Sequence, residues 1–132
     1  MNSADALWMQ YRKFCYAAFF LQVFTAFLLL FFAPKVEAWF AAQELMADIS
    51  KTMAVLMQIL GGTFLVMSPA SIGLLRTKKT PVTWAAHMTN LILNLVWVPL
   101  WFLAIPLLIQ WNRAENKLAY GFTPDQLPEQ KR

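Results

Sequence analysis

The fold is decided by residues 14–33, which read FCYAAFFLQVFTAFLLLFFA. This run contains no Asp, Glu, Lys or Arg, and its clear polar breaks are Gln22 and Thr25. A helix needs about 20 apolar residues to cross the roughly 30 Å hydrocarbon core of a bilayer, where lipid offers the backbone no hydrogen bonds. The run is therefore predicted to be a transmembrane helix. Its apolar core exceeds the usual 7–15 residues of a secretory signal, so we expect it to remain as an anchor.

Two further apolar runs, residues 53–75 and 84–111, also lack Asp, Glu, Lys and Arg and are long enough to cross a bilayer. An amphipathic interfacial helix is predicted at about 35–51, because Pro34 suits a first helical turn and the acidic side chains that follow share one stripe. The sequence thus predicts an all-α integral membrane protein with a single membrane domain over residues 1–132. It would have three transmembrane helices, the interfacial helix after the first span, and a polar tail at 112–132.

The composition supports this environment. Hydrophobic residues make up 59% of the 132 residues and charged residues 14%, against about 45–50% and 25% in soluble domains. Disorder is excluded by the same figures, because disordered chains have low hydrophobicity and high charge. The net charge of +4 lies at the ends of the apolar runs, which indicates lipid headgroups rather than nucleic acid.

The basic residues predict the orientation. Arg12 and Lys13 precede the first span, and Arg76, Lys78 and Lys79 lie between the second and third spans. Because short cytoplasmic flanks are enriched in Lys and Arg, we expect the amino terminus and this second loop to be cytoplasmic. Three crossings would then place the carboxyl tail outside, although the tail is itself basic. A bacterial inner (plasma) membrane is the expected location, with an organellar inner membrane as the alternative.

The first two spans have distinct faces. In the first, a Phe ridge (Phe20, Phe24, Phe27 and Phe31) repeats at helical spacing and is expected to face lipid or a large apolar partner. The opposite side, with Gln22 and Thr25, is assigned to the helix bundle, because membrane helices pack through small and hydrogen-bonding residues. In the second span, the Gly61–Gly62 pair and the spacing of Pro69 and Gly73 predict either close helix packing or a hinge.

The third span carries a polar seam. His87, Asn90, Asn94, Trp97 and Trp101 fall on one face of a continuous helix. Two Asn and one His are not expected to face hydrocarbon, so we predict that this face meets the bundle, a partner or a cavity. The predicted packing and partner seam comprises Gln22, Thr25, Gln58, Gly62, His87, Asn90, Asn94, Trp97 and Trp101.

Interfacial anchors are predicted near the span ends, where amphipathic rings sit at headgroup level: Trp8, Trp39, Trp84 and Trp111. No catalytic, metal-binding or cofactor-binding residue is predicted, because no carboxylate lies within a span and His87 is the only histidine. A haem ligated by His87 is the one cofactor alternative. The lone Cys15 is expected to pack as a small hydrophobe.

These observations favour a small, non-catalytic accessory or structural subunit of a larger membrane complex. Its partners would be other membrane subunits and lipids, with no nucleic acid. The alternative is a homo-oligomeric pore, transporter or toxin/immunity-type membrane protein, in which the Gln58/Gly62 and His87/Asn90/Asn94 faces line a polar path.

Overall fold

A computed structural model describes residues 3–43 and 46–127, and within them every regular element is helical, which confirms the all-α class. Two helical stretches, Ser3–Ala41 and Ala47–Arg76, are long and apolar enough to cross a membrane. The α-helices are α1 (Ser3–Ala41), α2 (Ser50–Gly73), α3 (Pro81–Leu93), α4 (Trp101–Trp111) and α5 (Ala114–Ala119). Short 3₁₀ turns occupy Ala47–Ile49, Leu74–Arg76, Asn94–Val96, Val98–Leu100 and Pro124–Gln126.

The chain divides into two compact units, which we describe separately. The hairpin unit consists of residues 19–70, from α1 and α2. The terminal unit consists of the described residues before 19 and after 70, and it contains α3, α4 and α5.

The two predicted faces of α1 differ in exposure. The Phe ridge is exposed, with Phe20 at 67% and Phe31 at 60% of full exposure. On the other side Gln22 and Ala26 are buried and Thr25 is half-buried. Small and polar side chains allow neighbouring helices to approach closely, which agrees with the burial of this side, whereas contact of the Phe ridge with lipid or a partner stays a prediction.

Close helix approach in the hairpin unit occurs at Gly61. A Cβ atom added there would lie 3.0 Å from Leu30 Cγ and 3.2 Å from the Ala26 carbonyl oxygen. At Gly62, the next residue, an added Cβ atom would point into open space. The predicted close contact at Gly73 is wrong, because no atom lies within 4 Å of the corresponding position there.

We therefore expect opposite effects from the same substitution at adjacent glycines. Gly61→Ala should destabilise the hairpin unit by about 1–3 kcal/mol, because the neighbouring carbonyl is backbone and moves only with its helix. Gly62→Ala should be neutral or stabilise it by up to about 1 kcal/mol, because Ala favours the helix and meets no neighbour. Thermal unfolding of the two variants in detergent, followed by circular dichroism, compares them directly; equal melting shifts would contradict the close approach at Gly61.

The predicted interfacial helix is not a separate element. α1 continues through Pro34 to Ala41, so the first residues of the predicted 35–51 helix extend α1 instead. A single proline removes one backbone hydrogen bond, and long apolar helices tolerate it. A turn then follows, in which the Gln43 N–H donates to the Phe40 carbonyl at 3.1 Å. Glu44, part of the predicted acidic stripe, lies outside the described residues.

The third predicted span, 84–111, is wrong as one continuous helix. α3 is well started by a capping box between Thr80 and Thr83, with Pro81 in its first turn. Its helical path ends before Pro99, because proline has no N–H for the Leu95 carbonyl and its ring clashes with that group. The Trp101 indole Nε1 donates to this freed carbonyl at 2.6 Å. The carbonyl freed by the helix break is therefore satisfied by a side chain of α4.

After the break the chain folds back on itself. The Trp84 indole, at the start of α3, donates to the Trp111 carbonyl, at the end of α4, at 3.1 Å. α3 and α4 thus form an antiparallel helical hairpin. With 13 and 11 residues, they are about 20 and 17 Å long, shorter than a bilayer core of about 30 Å. Neither helix is long enough to cross a bilayer core by itself, because the residues of the predicted third span form two antiparallel helices.

The tail returns to the start of the chain. α5 is separated from α4 by Asn112 and Arg113, and the backbone of Arg113 is extended. Gly121, with a φ of 85°, follows the end of α5. The Phe122 N–H donates to the Lys117 carbonyl and the Gly121 N–H to the Leu118 carbonyl, the pattern of a Schellman cap. Phe122 then packs edge-on against Trp84, with ring centroids 5.3 Å apart.

Candidate functional site

Asn90 on α3 is the centre of a buried polar network in the terminal unit. Its amide oxygen accepts hydrogen bonds from Ser71 Oγ at 3.2 Å and from Asn94 Nδ2 at 3.1 Å. Its amide nitrogen donates to the Tyr11 hydroxyl at 3.1 Å and to Cys15 Sγ at 3.7 Å. An Asn amide can accept two hydrogen bonds and donate two. The side chain of Asn90 is therefore fully used inside the protein.

His87 joins this network through Tyr11. The Tyr11 hydroxyl lies 2.8 Å from His87 Nδ1. If Nδ1 accepts a hydrogen bond from the Tyr11 hydroxyl, the Tyr11 oxygen remains free to accept one from Asn90, and each bond has one donor and one acceptor. This arrangement corresponds to a neutral imidazole with its proton on Nε2. The His87 ring is consequently held in place by α1 as well as by its own helix.

Four aromatic rings enclose the His87 imidazole, all in tilted or edge-on contact. Ring centroids of Tyr11, Trp111, Tyr120 and Trp8 lie 4.9, 5.3, 5.8 and 5.9 Å from that of His87. We call these rings the aromatic cage. They come from the start of α1, the end of α4 and the residue after α5, so the folded-back hairpin is what assembles them. His87 is 1% exposed as a result.

Two polar atoms of the cage lack hydrogen-bond partners among the described residues: Trp111 Nε1 and the Tyr120 hydroxyl. Burial raises the pKa of Tyr120 to about 12, because the phenolate would lose its hydration. The Tyr120 hydroxyl therefore stays protonated at neutral pH.

The predicted seam residues are divided between the two units. His87, Asn90 and Asn94 are brought together and are buried in the terminal unit. Gln22, Thr25, Gln58 and Gly62 belong to the hairpin unit, where Gln22 is buried and Gln58 is exposed. Hydrogen bonding from Gln22, Thr25 or Gln58 to the seam stays a prediction.

The continuous face from His87 to Trp101 is wrong, because α3 ends at Leu93. Trp97 has an extended backbone at the break, with φ −92° and ψ 96°. Trp101 begins α4 and is 45% exposed, apart from its indole hydrogen bond to Leu95. Both tryptophans therefore belong to the tip of the α3–α4 hairpin rather than to the His87 face.

The four predicted anchors differ in their surroundings. Trp39 is exposed, as an interfacial ring would be. Trp8 and Trp84 are half-buried, and Trp111 is 1% exposed. Trp111 is thus a core side chain, because the folded-back hairpin turns it towards Tyr11 and His87.

Sequence reasoning missed Tyr11, Ser71 and Tyr120 as members of the site. Tyr11 lies just before the first predicted span and Ser71 in the second, so neither shares a helix face with His87. Tyr120 lies in the tail. Their common signal is only that each is a hydroxyl close to a span end, and many surface residues share that property.

The network is organised for rigidity. Its hydroxyl, amide and imidazole groups bond mainly to one another, which specifies a single arrangement of α1, α2 and α3 in the terminal unit. Haem ligation by His87 stays a prediction.

The two buried tyrosines permit a matched test. Tyr11→Phe removes a hydroxyl that bonds to His87 and Asn90, and it should destabilise the protein by about 1–3 kcal/mol. Tyr120→Phe removes a buried hydroxyl without a described partner. It should be neutral or slightly stabilising, because no described hydrogen bond is lost and one polar group fewer is desolvated on folding. Thermal unfolding monitored by tryptophan fluorescence measures both variants. A larger loss in Tyr120→Phe than in Tyr11→Phe would contradict the network.

Comparison of the chain with protein families, with curated proteins and with solved structures finds no match.

Proposed function

We propose that this chain is a membrane-embedded, non-catalytic accessory subunit of a larger membrane complex, located in a bacterial inner membrane. The observation that carries the proposal is the distribution of apolar side chains on the long helices. In the most apolar 18-residue segment of each stretch, only 28% of the residues in α1 and 17% of those in Ala47–Arg76 are buried within the chain. A core helix of a soluble protein buries most of its apolar side chains, whereas a membrane helix exposes them to lipid or to a partner.

The positions of the charges support a two-crossing topology with a folded-back hairpin. In the terminal unit, Arg113 and Glu115 line the same groove as Ser3 and Leu7, so the carboxyl tail lies beside the amino terminus. We therefore propose that the tail lies on the same side of the membrane as the amino terminus, in place of the opposite side expected for three crossings. This placement also accounts for the basic tail, because Arg113 and Lys117 then share the side of Arg12 and Lys13.

Reporter fusions distinguish the two topologies. With two crossings and a hairpin that does not cross, both termini are expected in the cytoplasm. Fluorescent-protein fusions at either terminus of the full chain should then fluoresce, and alkaline phosphatase at either terminus should be inactive. A fusion in the turn at Ala42 should show the reverse pattern as the control. An active phosphatase at the carboxyl terminus would instead support three crossings.

The accessory role is supported by where the protein's polar groups are used. Asn90 has no hydrogen-bonding capacity left for a solute, and Tyr11 and His87 bond to each other inside the aromatic cage. The exposed surface of the hairpin unit includes many large apolar side chains, above all the Phe ridge. Large aromatic side chains on one face form favourable contacts with another protein surface and supply most of the energy in many interfaces.

The Phe ridge can be tested without changing the hydrophobicity of α1 greatly. A variant with Phe20, Phe24, Phe27 and Phe31 replaced by Leu should still insert, but it should lose partner affinity at least about tenfold, since aromatic anchors dominate such contacts. The control replaces the exposed α2 residues Val55, Ile59 and Val66 by Leu. Tagged chains expressed at native level are purified in mild detergent, and their subunits are identified by native mass spectrometry.

Co-purification of the wild type and the control, but not the Phe variant, with larger membrane subunits in fixed stoichiometry is the expected result. Retention of those subunits by the Phe variant would place the contact elsewhere. A homo-oligomer alone would favour the pore or transporter alternative, and a monomer alone would contradict both. A chain that stays soluble after membranes are removed and needs no detergent would contradict the membrane placement itself.

A further inference from the structure

A basic and aromatic groove lies in the terminal unit between the first turns of α1 and the end of α2. Its volume is about 260 Å³, and its lining residues are Trp8, Arg12, Tyr16, Ile72, Leu75 and Arg76. The two arginines come from segments 64 residues apart in the chain. The fold therefore converges two guanidinium groups on one groove, which neither segment could provide by itself.

A second groove adjoins the first and shares Arg12 and Tyr16 with it. It has a volume of about 320 Å³ and adds Met9 and Lys13 to the lining. No acidic side chain is among the described residues that line either groove. The Arg12 guanidinium lies 6.0 Å from the centre of the Tyr16 ring, an arrangement that holds it towards the shared wall. The joint surface is thus cationic and lacks an internal carboxylate to neutralise it.

The other wall of the groove is apolar. Ile72 and Leu75 are half-buried at the end of α2, directly before Arg76. Trp8 is half-buried and Tyr16 is exposed. Such rings occupy the headgroup level of a bilayer, where one end of the side chain is apolar and the other is hydrated. Positive charge therefore lies beside an apolar wall and two interfacial rings, an arrangement complementary to the phosphate and acyl chains of an anionic phospholipid.

We infer that this groove binds one anionic phospholipid of the leaflet that faces the amino terminus. Arg12 and Arg76 would bind the phosphate, because guanidinium groups match phosphate oxygens in geometry and charge. Ile72 and Leu75 would contact the start of an acyl chain, and Lys13 would supplement the positive charge. Basic clusters at the cytoplasmic side of membrane helices bind acidic lipids by this chemistry. The inference rests on the membrane placement proposed above.

The test measures lipid binding to the full chain purified in mild detergent, using native mass spectrometry with added dioleoylphosphatidylglycerol or dioleoylphosphatidylcholine. The wild type should bind phosphatidylglycerol in preference. The double substitution Arg12→Gln and Arg76→Gln should weaken that binding about 30-fold, from the usual contribution of two basic groups near an anionic surface. Binding of phosphatidylcholine should change little.

Two variants control this result. Lys35→Gln with Lys51→Gln removes the same amount of charge outside the grooves, so it should bind phosphatidylglycerol like the wild type. Arg12→Lys with Arg76→Lys keeps the charge, and it should bind more tightly than the Gln variant even if neither matches the wild type. If the Gln variant retains wild-type affinity, or if the Lys35/Lys51 variant loses as much, the assignment of the site to this groove is overturned.

A further arm identifies the source of the phosphate. Inorganic phosphate added in large excess should not displace phosphatidylglycerol from the wild type, since it lacks acyl chains to contact Ile72 and Leu75. Displacement would overturn the lipid assignment in favour of a site for the headgroup chemistry alone. Membrane extraction at alkaline pH separates the two proposals. A chain that resists extraction but shows no preference for anionic lipid overturns only the lipid inference, whereas a chain that is extracted overturns the membrane placement.

Discussion

The terminal unit depends on the break before Pro99. Because proline offers no N–H to the Leu95 carbonyl, the third apolar run cannot continue as one helix, and the Trp101 indole satisfies that carbonyl instead. The chain then folds back, so that Trp84 and Trp111 meet through a hydrogen bond at the open end of the hairpin. This return brings the residues after α4 beside the amino terminus. One missing backbone donor thus determines which residues can surround His87.

The terminal unit buries a network of polar side chains, whereas the hairpin unit exposes large apolar ones. Inside the terminal unit, Asn90 saturates its amide with four hydrogen bonds, and the neighbouring histidine is enclosed by rings. Outside, the Phe ridge is exposed. In hydrocarbon this arrangement is favourable, because polar groups must find partners within the protein while apolar surface has no water to avoid. It directs the search for partners towards apolar surfaces rather than towards the polar seam.

The distribution of charge connects the topology with the proposed lipid site. Arg12 lies near the amino-terminal end of α1 and Arg76 just after the carboxyl-terminal end of α2, and both line one groove. The folded-back hairpin adds the basic tail to that side of the molecule. Positive charge at one end can serve two purposes at once, since it determines orientation during insertion and remains available to anionic headgroups afterwards.

The sequence by itself determined the helical class, the locations of the first two apolar helices and which side of α1 is exposed, because these depend on composition and on the 3.6-residue period alone. It did not determine the full extent of α1, which continues through Pro34 to Ala41. Tertiary structure decided the rest. Whether Pro99 would bend or break the third run depended on the Trp101 cap and on contacts that α4 gains by returning to α3. His87 and Asn90 form hydrogen bonds with Tyr11 and Ser71, which are distant from them in the chain. A local sequence pattern cannot predict such long-range contacts.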